Sequence, residues 1–273
     1  MISEKNDAKK VFWKKGTCSR SFAYLLNREF GHPSDPEERA ADPLAGGILQ
    51  EGHQCGMLWG SALAVGAEAL RRSDDPNKAV GLAMHTSKKL VDSFKDQTST
   101  IQCREITNCN FKSRWSYMKY MFSGKFLGCF RLAENWAPEA SQSAFDGLSK
   151  NVNELPDKPI SCASKVINEM GGNVEEMVMV SGFAGGLGLS GNACGALSAA
   201  VWKRSLEWNK DNPGKSTFFN QKAKQVLESF QNTMGSKIQC SEICGQTFHS
   251  IEEHSEYIRK GGCKELIETL ARS

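Results

Sequence analysis

The sequence repeats itself, and that repeat limits what the chain can fold into more than any other feature. Residues Ala45–Gly56 read AGGILQEGHQCG and residues Ala184–Gly195 read AGGLGLSGNACG, with six positions identical and no gap at an offset of 139. Each block runs on into small and apolar residues, MLWGSALAVGA in the first copy and ALSAAVW in the second. Ile101–Ile106 (IQCREI) matches Ile238–Ile243 (IQCSEI) at an offset of 137. All ten cysteines then sort into two sets of five in the same order: Cys18, Cys55, Cys103, Cys109, Cys129 and Cys162, Cys194, Cys240, Cys244, Cys263. Cysteines scattered through an apolar core, where free thiols pack well, have no reason to fall into this register. The sequence therefore predicts two homologous units, 11–148 and 159–273, joined by the polar, proline-bearing stretch from Ser149 to Pro159.

The periodicity is helical throughout. Phe22, Leu25, Leu26 and Phe30 share a face over Ser19–Phe30, which stops at Gly31-His32-Pro33. Met57–Leu70 is too long an apolar run for a typical strand, and Asn77, after Pro76, opens Lys78–Phe94. In the second copy Ala163–Met170, Cys194–Trp208, Asn220–Phe230 and Lys264–Leu270 take the same places. No alternating strand pattern with hairpin turns appears. The expected fold is all-α, with four or five helices per unit and the two units packed as a pseudo-dimer. Glycine inside a helix costs roughly 0.5–1 kcal/mol relative to alanine. The Gly56, Gly60 and Gly66 series after the central cysteine therefore needs a compensating gain, either close helix packing or a cofactor lying against backbone.

Composition narrows the class. Hydrophobic content of 40% and charged content of 24% are globular values, and a net charge of +3 calls for no nucleic-acid partner. No apolar stretch nears the ~20 residues that span a bilayer, and the polar Met1–Lys15 segment has no secretory h-region. The expected location is cytoplasmic, where ten cysteines point to metal or redox work rather than to five disulfides.

Cys55 and Cys194 each follow a glycine-rich loop and open an apolar helix, an environment that favours thiolate through the free N–H groups of a helix start. Thiolate attacks disulfides and ligates Zn or Fe. The Cys240/Cys244 spacing puts both sulfurs on one face if that segment is helical, whereas Cys103 and Cys109 need a bulge to match it. Four cysteines per unit is the usual complement of an iron–sulfur cluster or a structural zinc. Their separations of about 25–45 residues mean that only the fold brings them together.

The pattern resembles a family named for its own motif, C_GCAxxG_C_C, described as redox-active proteins. The closer match is the second unit: ISCASKVINEM, SGFAGGLGLSGNACGALSAAV, CSEICG and GCKELIETLAR place the family cysteines at Cys162, Cys194, Cys240 and Cys263. The internal match adds Cys18, Cys55, Cys103 and Cys129. The first unit departs from the pattern at His53 and Trp59, and in an insertion between Phe30 and Pro43. The resemblance implies a cofactor held by those eight cysteines, with Cys55, Cys103, Cys129, Cys194, Cys240 and Cys263 as metal ligands. The expectation is an iron–sulfur protein passing electrons to a redox partner protein. A metal-free thiol–disulfide oxidoreductase is the alternative, and a zinc-stabilised structural protein a lesser one. No catalytic residue is singled out, and whether two chains associate as a homodimer is open.

Other signals count for less. Gly186–Gly191 satisfies G-x-G-x-x-G, but the dinucleotide fingerprint must follow a strand, and Val174–Gly182 reads as helical. His249 and His254 are expected on the surface. The Asp35-Pro36-Glu37-Glu38 run is expected to be a solvated loop.

Overall fold

A computed structural model of the chain describes residues 6–273, the side chain of Phe219 excepted. Of the leader reading, Met1–Lys5 lie outside the described residues. The first repeat forms α1 (Ala8–Lys15), α2 (Cys18–Glu29), α3 (Asp35–Ala40), α4 (Gly56–Arg71), α5 (Pro76–Thr98), α6 (Cys103–Thr107), α7 (Arg114–Phe122) and α8 (Phe126–Leu148). The second forms α9 (Cys162–Glu169), α10 (Val174–Met179), α11 (Gly195–Asp211), α12 (Gln221–Met234), α13 (Cys240–Cys244), α14 (Ile251–Arg259) and α15 (Lys264–Arg272). Helices α2 to α8 correspond in order to α9 to α15. Among the described residues there is no strand, only two isolated bridges, Gln54 with Gln102 and Ala193 with Gln239. None of the helices is long and apolar enough to cross a membrane.

The helices start where the chain supplies caps. The Thr17 hydroxyl accepts from the Arg20 N–H at the start of α2, and Ser161 does the same for Ser164 at the start of α9. Asp75 caps α5, with Pro76 in its first turn. Helix α4 is apolar on all sides and lies at the centre, so nearly every residue from Gly56 to Ala69 is buried.

The two repeats pack by exchange. Central helix α4 of the first lies against α10 of the second, and central helix α11 of the second lies against α3 of the first. Trp59 meets Phe183 edge-on with ring centres 4.8 Å apart, and the Trp202 indole donates to the Glu37 carbonyl at 3.2 Å. On the axis, the buried Gln54 amide donates to the carbonyls of Gly186 at 3.0 Å and Ala193 at 3.2 Å. The glycines of the central helices allow close packing within each repeat, at Gly60 and Gly195, and between repeats, at Gly66. A methyl group at Gly60 would overlap the Ser19 carbonyl of α2, at Gly66 the Met179 carbonyl of α10, and at Gly195 the Phe183 carbonyl. Close helix approach is thus the compensating gain.

Several expectations are corrected. There are more helices than four or five per unit, because α6, α7, α13 and α14 are too short to show a period and α8 continues through Pro138. The acidic run is helix α3 and not a loop. Its Glu38 is 1% exposed, because it takes hydrogen bonds from the Asn27 amide and the Ser34 N–H and an ion pair from Lys15. His254 is also buried, with Nδ1 at 3.0 Å from the Ile160 carbonyl and its ring edge-on to Phe248; His249 is exposed. Ahead of G-x-G-x-x-G stands helix α10 followed by a 3-10 turn, so the dinucleotide context is lacking.

Candidate functional site

Each repeat builds its cysteine cluster on a backbone turn of unusual hand. Gly46, Gly47, Ile48, Leu49 and Gln50 all have φ between 50° and 77°, and Gly185 through Leu189 repeat this with φ between 56° and 79°. Five consecutive left-handed residues are costly for L-amino acids, roughly 1–2 kcal/mol at each non-glycine position, so something must hold them. Gly52 N–H closes on the Gly46 carbonyl at 2.9 Å, and Gly191 N–H on that of Gly185 at 2.9 Å. Gly47 and Gly186 are required, since a methyl group there would run into the backbone of His53 or Asn192. Strain of this kind, kept in both copies, marks a working site. Its product is electrostatic: the Gly46 N–H helps to lower Cys18, and the Gly185 N–H offsets part of the burial that pushes Cys162 up.

The central and third cysteines are locked to each other by main chain. Cys55 N–H donates to Ile101 O at 2.7 Å, and Cys103 N–H to His53 O at 2.6 Å. In the second copy Cys194 N–H donates to Ile238 O at 2.9 Å, and Cys240 N–H to Asn192 O at 2.6 Å. This pairing is why the IQC motif recurs. Cys18 and Cys162 are the first residues of α2 and α9, and Cys55 and Cys194 are the caps of α4 and α11.

The clusters then differ. In the second repeat α13 is helical, and Cys244 lies 3.8 Å from Cys240 and 3.7 Å from Cys263, sulfur to sulfur. The fifth cysteine is therefore a member of that cluster. In the first repeat α6 ends at Asn108, whose φ is 48°; the two extra residues carry Cys109 to a buried position beside the Ser116 hydroxyl at 3.6 Å. There Cys55 lowers Cys18, and Cys103 is raised by burial and then by the neighbouring Cys18, Cys129 and Cys109. Cys18, Cys55, Cys103 and Cys129 border one cavity of about 1000 Å³.

Burial outweighs the helix-start effect at the central cysteines. Cys194 is pushed up to about 11 by desolvation, and Cys55 is raised by its neighbour Cys18 and by burial. Two cysteines shift the other way. Cys18 is lowered, first by Cys55, and Cys244 is drawn down to about 3 by Cys240 and Cys263.

Sequence reasoning missed two residues of the site. Tyr120 Oη is 3.1 Å from Cys129 Sγ, and Tyr257 lies near Cys244 and Cys263, where it helps to lower Cys244. They lie 137 residues apart, the offset of the two IQC motifs, and each precedes a left-handed glycine by four residues, Gly124 and Gly261. That shared offset was the available signal.

Fold and site together define a tandem all-helical protein with one cysteine cluster per repeat. The chain belongs to the family described as "Putative redox-active protein (C_GCAxxG_C_C)", whose model matches twice, over residues 17–141 and 160–273. No curated protein and no solved structure matches the chain.

Proposed function

We propose that the cysteine clusters hold iron–sulfur centres that exchange electrons with a redox partner protein. The observation that carries this reading is the spacing of the sulfurs. Two thiolates bound at about 2.3 Å to one tetrahedral metal atom stand about 3.8 Å apart. The Cys240–Cys244 and Cys244–Cys263 separations are 3.8 and 3.7 Å. Yet among the described residues no three His, Cys, Asp or Glu side chains converge as one ion requires. The donor set, four or five thiols and no carboxylate, is that of an iron–sulfur site.

In the first repeat Cys18, Cys55, Cys103 and Cys129 would hold the group, and in the second Cys162, Cys194, Cys240 and Cys263, with Cys244 between the last two. The group would supply one-electron chemistry. The chain's own part is to place Gly46 N–H, Gly185 N–H and the two tyrosines near cysteine sulfurs, and hydrogen bonds to sulfur are a main control of potential. Visible absorption together with iron and sulfide assays on protein purified without oxygen tests the reading. Iron and sulfide should be bound, and Cys194→Ser should lose part of both; colourless, iron-free protein would overturn it.

A second reading rests on Cys244, drawn down and flanked by two thiols. It would attack a partner's disulfide, releasing one partner thiol, and Cys240 or Cys263 would resolve the mixed disulfide and release the other. The partner is reduced and the cysteine pair oxidised. Iron-free protein that loses two thiols per cluster on oxidation would support this reading instead.

A further inference from the structure

The duplication supplies an internal control: residues common to both clusters serve the cysteines, and residues private to one serve something else. Phe111 and Tyr120 of the first repeat have counterparts in Phe248 and Tyr257. The cations around the first cluster have none. Lys15, Arg20, Arg39 and Arg114 of the first repeat line its cavity, joined by Lys215 from the second, and in the register set by the paired helices the places of the first four are taken by Pro159, Ser164, Val178 and Ile251.

Two of the four are occupied. Arg20 pairs with Asp35 at 2.7 Å, and Lys15 with Glu38 at 3.5 Å. Arg39 and Arg114 form no ion pair with a carboxylate among the described residues. Arg39 donates to the Lys215 carbonyl at 3.0 Å, which ties the α3 side of the rim to a loop of the second repeat that also lines the cavity. The lining also carries Phe12, Phe111, Phe126 and Phe130, and the carboxylates Asp35 and Asp42. The Phe130 ring lies 4.5 Å from Phe12, tilted, and meets Phe126 edge-on at 6.3 Å. A space of about 1000 Å³ is large enough for a multi-ring molecule.

We propose that the first-repeat cavity binds a flat organic anion, its rings against the phenylalanines and its charge on Arg39 and Arg114, in reach of the first cysteine cluster. The two arginines are suited to the task because a guanidinium makes charge-assisted hydrogen bonds to carboxylate, sulfonate or phosphate oxygens. The purpose of the ligand rests on the redox reading above, as the small molecule that meets the first centre; its binding does not.

The test is isothermal titration of the reduced, metal-free full chain with pyrene-1-sulfonate, which thiols do not reduce, alongside the cationic ring system proflavine and inorganic phosphate. One sulfonate should bind per chain, more tightly than either control. Arg114→Gln and Arg39→Gln should each weaken it about tenfold or more, the scale of a lost charge-assisted contact. Arg114 is exposed at the start of α7, so its variant keeps the test open if Arg39→Gln disturbs the fold. Equal binding of the cationic dye, or unchanged affinity in Arg114→Gln, would overturn the site, and phosphate binding as tightly as the sulfonate would overturn the flat-ligand assignment. Because no iron is present, failure here leaves the cluster assay untouched, and an iron-free protein leaves this test standing.

Discussion

The Tyr120 hydroxyl and the Cys129 sulfur are 3.1 Å apart, and Tyr257, the counterpart in the second repeat, lies near Cys244 and Cys263. A phenol donating to sulfur stabilises the thiolate, offsetting part of the burial that pushes Cys129 up to about 11. Tyr120→Phe removes the donor and leaves the ring. A hydrogen bond to a charged group contributes about 1.5 kcal/mol or more, close to one pKa unit. Alkylation of Cys129 in metal-free protein, followed peptide by peptide below its pKa, should slow roughly tenfold; an unchanged rate would count against the tyrosine's role.

Two glycines should respond in opposite directions. Gly60→Ala drives a methyl group into the Ser19 carbonyl, backbone that cannot step aside, and should cost about 3 kcal/mol in urea unfolding. Gly128 lies in α8 with open space where its Cβ would be. Gly128→Ala should stabilise by about 0.5–1 kcal/mol.

The Asp42 carboxyl accepts from the Thr17 hydroxyl at 2.7 Å and is raised to about 6, chiefly by burial. With the folded value above the ordinary 3.8, the folded state binds more protons between pH 4 and 6, so stability falls as pH rises through that window. Asp42→Asn keeps an acceptor and discards the charge. The variant should match the parent near pH 4 and exceed it above pH 7 by up to about 3 kcal/mol, read from denaturation midpoints at each pH. A constant difference would contradict the assignment.

His254 should act with the other sign. Burial lowers it to about 4 in the folded chain, so the unfolded chain takes up its proton first and stability falls as pH drops from about 6.5 towards 4. His254→Gln should flatten this acid limb of the stability curve, and a limb of unchanged slope would assign the loss to other groups.

Exchange packing makes each repeat depend on the other. Residues 159–273 alone leave α11 without α3, and Trp202 without the Glu37 carbonyl. The fragment should show little cooperative melting by circular dichroism, and adding residues 1–158 should restore it. A fragment that melts cooperatively by itself would show that the exchange contributes little.

Local sequence was enough for the duplication, the helical class, the main amphipathic helices and the register of the eight family cysteines, because these are written in spacing and in turn chemistry at AGG and IQC. It was not enough where a residue's state depends on what packs over it. The helix start at Cys55 and Cys194 argues for thiolate, but burial raises both, and the cysteines that shift downward are Cys18 and Cys244, each through neighbouring thiols. Glu38 of the acidic α3 segment and His254 look solvated and are buried, because Lys15 and Asn27 in one case and the Ile160 carbonyl in the other come from distant chain. Tyr120 and Tyr257 carry no motif; only the fold brings them to the last cysteines. Sequence determined which sulfurs travel together, and tertiary structure decided which of them are charged, paired or open to a ligand, since desolvation and hydrogen bonding are properties of the surroundings and not of the chain.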